Sequence, residues 1–439
     1  MDIGEEIYEL VCRIFPISRS ITGEGVRKTL KILQEYLPDM TICEVPTGTQ
    51  VFDWIVPQEW NCEEAYVEDE RHNRILDYQT NNLSIVNYST PVDKWVSLDE
   101  LKELIYTQPD QPELIPYVTS YYNRRYGFCM SEKQKSELEK GNYHIVINSS
   151  LKDGSLSYGE YVIKGKYKEE IFISTYLCHP SMANDNCSGI AVAAKLAELI
   201  RKHQNRYTYR FIFIPETIGA ITYLSSHLEH LQKRVIAGFN LSCVGDDLSY
   251  SYIPTRKGGT LADKVLENIL IHHTSGYVRY TYLDRGSDER QYNAPGIDLP
   301  VCCFCRSKFH VFPEYHTSAD NLALVSKEGL QGSYDILRMC FAVLELNDLY
   351  VCTTLCEPQL GKRKLYPEIG QKGTYQSIKC YQNFLAYADG QNDLIDISNQ
   401  LDISAYLLID VVKVLLENGL IESAGMIGNK ALQPVQGSV

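Results

Sequence analysis

The 439-residue chain predicts an α/β protein built on a doubly wound, mostly parallel sheet, with a small β-rich unit inserted near its start and a winged helix at its end. Three observations carry that prediction. Near-continuous apolar runs alternate with helical patterns from about residue 141 to 349, as in a parallel sheet covered on both faces. Residues 45–140 hold Trp54, Trp60 and Trp95, many tyrosines and short alternating runs between Pro and Asn turns, which reads as a separate β module. The tail LIDISNQLDISAYLLIDVVKVLLENGLIE (394–422) gives helix, turn, helix and a Gly exit, the pattern of a helix-turn-helix.

Residues 1–40 read as two helices. In ITGEGVRKTLKILQEYL a start signal at Thr22 precedes Val26, Leu30, Leu33 and Leu37 at helical spacing. EIFISTYL (170–177) is a buried strand and GIAVAAKLAELIRKH (189–203) a helix. YRFIFIP (209–215) is the next strand, followed by the helical TIGAITYLSSHLEHL. VIAGFNLSCVG (235–245), the helix LADKVLENILIHH, the strand DLPVCCFC (298–305) and the helix GLQGSYDILRMCFAVLELN complete this layer. The expected domains are 1–44 with 141–349, the insert 45–140, and a winged unit 350–439. Its linker, CEPQLGKRKLYPEIGQKGTY, looks exposed, which predicts that a chain ending near Asn347 folds without the rest.

Composition excludes some classes. The net charge of -14 makes the molecule a poor polyanion binder, so neither nucleic acid nor a membrane is an expected partner. The N-terminus MDIGEEIYELVCRIF lacks a basic segment followed by an apolar one, and no apolar run reaches about 18 residues. A cytoplasmic protein is expected. The 14 cysteines lie mostly in apolar patterns, Cys302, Cys303 and Cys305 among them, as buried free thiols do.

Doubly wound sheets bind ligands beyond the carboxyl ends of their strands. Four polar clusters fall there. CHPSMANDNCSG places His179 and Asp185 after the strand 170–177, PETIG places Glu216 after 209–215, SCVGDD follows 235–241, and EYHTSADN places His316 after 298–305. Taken singly, each residue reads as a cap or a surface side chain. Together they bring two imidazoles and two carboxylates to one sheet edge. Imidazole and carboxylate are the donors of an open zinc site, which also needs a nearby carboxylate as general base.

These segments, in this order, resemble the motif series of co-catalytic zinc aminopeptidases and their glutaminyl-cyclase relatives across about 150–345. GSDERQYNAPGIDLPV resembles the substrate-side loop of that group. The whole chain resembles a bacterial family with an aminopeptidase-like domain, an inserted β domain and a C-terminal winged helix, most specifically through FPISRSITGEGVRKTL and CHPSMANDNCSG. The resemblance implies Glu216 as the base. In the two-metal enzymes a second Glu follows the base as a ligand and an Asp stands in the third strand. Here those positions hold Thr217 and Ser242. His179, Asp185 and His316 remain, a complete set for one zinc with an open position. Asp246 or Asp247 would have to rescue a second site.

The expected activity is zinc-dependent hydrolysis of a small peptide's amide bond, as by an aminopeptidase or dipeptidase. Arg285, Asp288, Glu289 and Tyr292 are the candidate substrate contacts, and the insert is expected to roof the site. The rivals are an amidase or deacylase acting on a sugar-linked or cell-wall amide, and a non-catalytic ligand sensor with a winged helix. The segment ISAYLLIDVVKVLLE has one Lys and is acidic, a poor phosphate binder, so protein contact or homo-oligomerisation through the winged helix or the insert is its expected use. His272 and His273 suit the end of a helix. His310 rivals His316 as a ligand, and alternation along the strand points Cys178 away from His179.

Overall fold

The computed structural model describes residues 2–366, 374–423, 426–427 and 430–431. Of the expected winged unit, 432–439 lie outside the described residues, as do 367–373 of its linker.

An eight-stranded sheet organises the chain. Its order is Thr41–Pro46, Ser155–Ile163, Thr208–Ile214, Glu170–Tyr176, Val235–Leu241, Val301–Cys305, Ser251–Ile253 and Val278–Arg279. The central four strands run parallel, and Ile173 sits between Phe211 and Phe239 in register. Every residue of Glu170–Tyr176 and Thr208–Ile214 is buried, which is why these segments are apolar throughout rather than alternating. Thr41–Pro46, Ser155–Ile163 and Ser251–Ile253 are antiparallel to their inner neighbours and Val278–Arg279 is parallel to its own, so the sheet is mixed with a parallel centre. Helices Ile3–Ile14, Gly189–Ile200, Leu261–His273 and Lys327–Leu346 share one apolar core with it.

Two elements differ from the sequence expectation. The helix expected to start at Thr22 spans Glu24–Tyr36 with Gly23 before it. Thr22 Oγ1 instead accepts from Trp60 N at 3.0 Å, tying the helix to the insert. Gly23 has φ +100°, and a Cβ there would lie 2.1 Å from Trp60 O, so only glycine lets the two backbones approach. The insert forms its own antiparallel sheet, in the order Arg74–Asp77, Glu59–Glu68, Asn142–Lys152 and Val92–Ser97. Its sheet therefore runs past the expected boundary at 140.

The C-terminal unit packs as part of the main body. Phe384, Leu394, Ile395, Ala405, Leu408, Val412 and Leu415 are buried in the same apolar cluster as the eight-stranded sheet. Asn268 donates to Ser398 Oγ and Asn399 Oδ1, both at 2.8 Å, and accepts from Ala405 N at 3.0 Å. Lys264 pairs with Asp396 at 2.9 Å. Buried Asn347 accepts from Ile395 N at 3.1 Å. This packing argues against the expectation that a chain ending near Asn347 folds without the rest.

Among the described residues, no helix is long and apolar enough to cross a membrane.

Candidate metal centre

Three strand exits deliver His179, Asp185 and His316 to one point. A donor atom from each lies within 4.8 Å of the other two, and they are the one such group of three among the described residues. His179 leaves the strand Glu170–Tyr176. Asp185 sits in the π-helical segment Ala183–Ser188, at non-helical φ -107°, ψ 75°. His316 has φ 55° and is held from the insert: Tyr117 N donates to His316 O at 2.8 Å, and Pro116 bridges Thr317. The Tyr117 ring packs on His179 and His316 at 5.3 and 5.0 Å between centroids.

The donor set is poised for a cation. Asp185 Oδ2 and His316 Nε2 approach to 3.1 Å, yet neither is in hydrogen-bonding geometry, and both are buried without a partner. Such atoms are costly unless something else satisfies them. Burial pushes His179 down to about 4, despite the Asp185 charge, so its imidazole is neutral at pH 7 and has a lone pair to give. Burial opposes ionisation of Asp185, but the neighbouring histidine rings and the Tyr176 hydroxyl outweigh it and hold the carboxyl below its ordinary range. Two imidazoles and one carboxylate fit zinc.

The other oxygen of Asp185 is occupied. Tyr176 OH donates to Oδ1 and lies 2.8 Å from Ser242 Oγ. Ser242 thus stands beside the hydroxyl that covers Asp185, where the two-metal enzymes are expected to carry a ligand. Asp246 is consumed elsewhere, accepting from Asn184 Nδ2 at 3.0 Å and Ser307 Oγ at 2.8 Å. Asp247 accepts from Ser326 Oγ at 3.1 Å. Neither joins the cluster, and neither does His310, which packs on Tyr315.

Glu216 follows the strand Thr208–Ile214. Its Oε2 is 3.8 Å from His179 Nε2, and its side chain keeps 23% exposure through a cavity of about 310 Å³. Burial, then the Asp288 and Asp185 charges, raise its pKa well above the ordinary carboxylate value. Thr217 forms a tight γ-turn, with φ 63°, ψ -76° and Ile218 N donating to Glu216 O at 2.8 Å. This is strained for a β-branched residue.

Of the four expected substrate contacts, the site brings in Asp288 alone. Buried Asp288 accepts from Thr217 N at 2.7 Å, while its Oδ2 has no partner. Burial pushes it up to about 7. Arg285 is exposed and lies over Tyr282. Glu289 is spent on backbone, accepting from Gly286 N at 2.8 Å and Ser287 N at 3.2 Å. Tyr292 is buried, with its hydroxyl 2.8 Å from Ser174 Oγ. Cys178 also departs from expectation. The chain leaves the strand at Tyr176, so alternation no longer applies, and Cys178 Sγ accepts from Glu216 N at 3.2 Å inside the cavity.

Sequence reasoning missed Arg290, Tyr121 and Tyr122 in the cavity wall. It also missed Asp320, which knots two ligand loops together: its carboxylate accepts from Asn184 N at 2.7 Å and Asp185 N at 2.9 Å. The YHTSAD motif contained it, but without a role. The FPISRSITGEG motif proves to supply Arg19, which is 1% exposed. Its guanidinium donates to His179 O at 3.0 Å, to Ile14 O at 2.5 Å and to Cys187 Sγ at 3.0 Å. Arg19→Ala should destabilise the protein by about 2–4 kcal/mol, because it strips donors from buried acceptors, and should weaken metal retention. Thermal melting and metal content would check both. A melting point within a degree of the parent's would refute the clamp.

Comparison with known proteins follows this geometry. A family model described as a domain of unknown function (DUF4910) matches residues 8–347, and a winged helix-turn-helix model matches 348–423. A Clostridium acetobutylicum protein described as a polysaccharide biosynthesis protein with an aminopeptidase-like domain is 45% identical over 399 residues, covering 90% of this chain and 91% of the relative. A crystal structure from the same organism, described as a peptidase, has a TM-score of 0.91 at 42% identity and covers 96% of each chain. The zinc aminopeptidase of Bacillus subtilis shares the fold at 14% identity and a TM-score of 0.56, over 76% of this chain and 93% of that one. The chain therefore belongs to the DUF4910 family, an aminopeptidase-like α/β fold continued here by a winged helix.

Proposed function

We propose that the chain is a mononuclear zinc-dependent amide hydrolase acting on a small peptide or similar amide, with His179, Asp185 and His316 as metal donors and Glu216 as general base. The observation that carries this reading is the pair of orphaned, buried donor atoms, Asp185 Oδ2 and His316 Nε2, beside a neutral His179 and a cavity-facing carboxylate. A divalent cation held there supplies positive charge that polarises an amide carbonyl, acidifies water and offsets the carboxylate repulsion raising Glu216. Glu216 takes a proton from the attacking water. The water oxygen bonds to the carbonyl carbon, the C–N bond breaks, and Glu216 returns the proton to the leaving nitrogen. The Tyr176 hydroxyl on Asp185 Oδ1 supports one metal rather than two. The cavity of about 310 Å³ suits a dipeptide-sized molecule.

A second reading, hydrolysis of a sugar-linked amide, draws on two observations. Trp54 and Tyr122, 40% and 50% exposed, meet edge to face at 5.6 Å on the cavity wall, and the 45%-identical relative is described by polysaccharide biosynthesis. The sensor reading is disfavoured: the exposed face of helix Ala405–Glu417 carries Leu407, Asp410, Lys413, Leu416 and Glu417, one cation against two acids, a poor surface for DNA phosphates.

The zinc-reconstituted protein should hydrolyse members of a panel of aminoacyl anilides, dipeptides and N-acetyl sugars, lose that activity to a chelator and regain it with zinc. Preference within the panel separates peptide from sugar substrates. If no amide in the panel is cleaved, the hydrolase reading fails.

A further inference from the structure

One charged group in the cavity has no part in the chemistry above. Arg290 is the only Lys or Arg among the described residues that line the cavity holding Glu216. A guanidinium presents five N–H donors in a rigid fork that suits carboxylate and phosphate. Arg290 Nη2 donates to Thr217 Oγ1 at 2.5 Å. Its Nε is buried without a partner, and its charge reaches Glu216 and Asp288 only at a distance, with no carboxylate of the described residues in ion-pair contact. Arg210 holds Glu160 and Glu170 and Arg206 holds Asp348; buried Arg306 also has a bare Nε, but it stacks on the Tyr250 ring and does not line this cavity.

A second observation is independent of that count. Arg290 and Asp288 grip the same strained residue. Thr217 is at φ 63°, ψ -76°, its N–H bound by Asp288 and its hydroxyl by Arg290. The guanidinium is thereby fixed one residue from the base by a backbone turn that costs energy. Strain of this kind persists where function requires a fixed geometry. The aromatic wall of Tyr121, Tyr122 and Trp54 lowers the local dielectric and strengthens any charge pair formed there.

We propose that Arg290 binds an anionic group, a carboxylate or a phosphate, on the molecule whose amide Glu216 attacks. This rests on the hydrolase reading. It narrows the substrate to a small amide that carries its own negative charge, such as a dipeptide with a free C-terminus or an acylated phospho-sugar.

The test uses the full-length, zinc-loaded protein in the Glu216→Gln form, so that ligands bind without turnover. Leucylglycine and leucylglycinamide are titrated by calorimetry, with acetate and inorganic phosphate as competitors. The acid should bind about ten- to hundredfold more tightly than the amide, the strength of a charge-assisted contact. Arg290→Gln should erase that difference, and Arg290→Lys, which keeps the charge but not the fork, should retain part of it. Should Arg290→Gln lose its fold or metal, the acid–amide difference and the competition still test the unsubstituted Arg290. Phosphate competing better than acetate supports a phosphorylated substrate, and the reverse supports a carboxylate. Acid and amide held alike, neither held at all, or a difference that survives Arg290→Gln overturns the proposal. Discrimination without turnover by the native protein would leave Arg290 standing and remove the hydrolase reading. Turnover without discrimination would do the opposite.

Discussion

Glu216→Gln should keep its zinc and its melting temperature yet lose turnover by roughly two to four orders of magnitude. The substitution preserves size and polarity but removes the proton acceptor. Glu216 lies outside the group of three donors, so the metal should be indifferent to it. The other roles open to this residue predict different outcomes. A metal ligand would cost zinc. A structural residue of the Thr217 turn would cost melting temperature and little activity. Asp288 sharpens the contrast, because it is buried, coupled to Glu216 by charge and pushed up to about 7. Near-full activity in the Gln variant would end the proposed mechanism.

Truncation after Asn347 should abolish folding, not merely trim a module. The winged unit contributes Phe384, Leu394, Ile395, Ala405, Leu408, Val412 and Leu415 to the core that also holds helices Leu261–His273 and Lys327–Leu346. Each large apolar side chain re-exposed costs about 1.5–3 kcal/mol, against a total stability of about 5–15 kcal/mol for a domain. Buried Asn268 and Asn347 would also lose their partners. The shortened chain should express as an aggregate or melt without cooperativity by circular dichroism. A cooperative transition near that of the full chain would show that the two units are separable after all.

The parallel centre of the sheet was legible because buried strands and amphipathic helices write different periods into the chain. His179, Asp185, Glu216 and His316 were legible because they stand at strand exits, where topology alone brings them together. The sheet of the insert was less so. Asn142–Lys152 and Ser155–Ile163 are joined by a tight Asp153-Gly154 turn and look like a hairpin, yet they pair with different sheets. No local pattern records that divergence. Arg290, Asp320 and Tyr117 escaped because their roles depend on partners far off in sequence: Asp320 reaches Asn184, and Tyr117 reaches His316. The four substrate-side candidates came from one loop, where neighbouring side chains necessarily point in different directions, and only Asp288 points toward Glu216's neighbour Thr217. The packing of the C-terminal unit could not be read from its linker, because exposure of a connection says nothing about burial of what it connects.

Metal content per chain tests the central claim most directly. Elemental analysis of the full-length protein, purified without chelator, should find about one zinc per chain, as three protein donors and an open position imply, and Asp185→Ala should lose it. Two tightly held metals per chain, none, or a full equivalent retained by the Asp185→Ala variant would contradict the account.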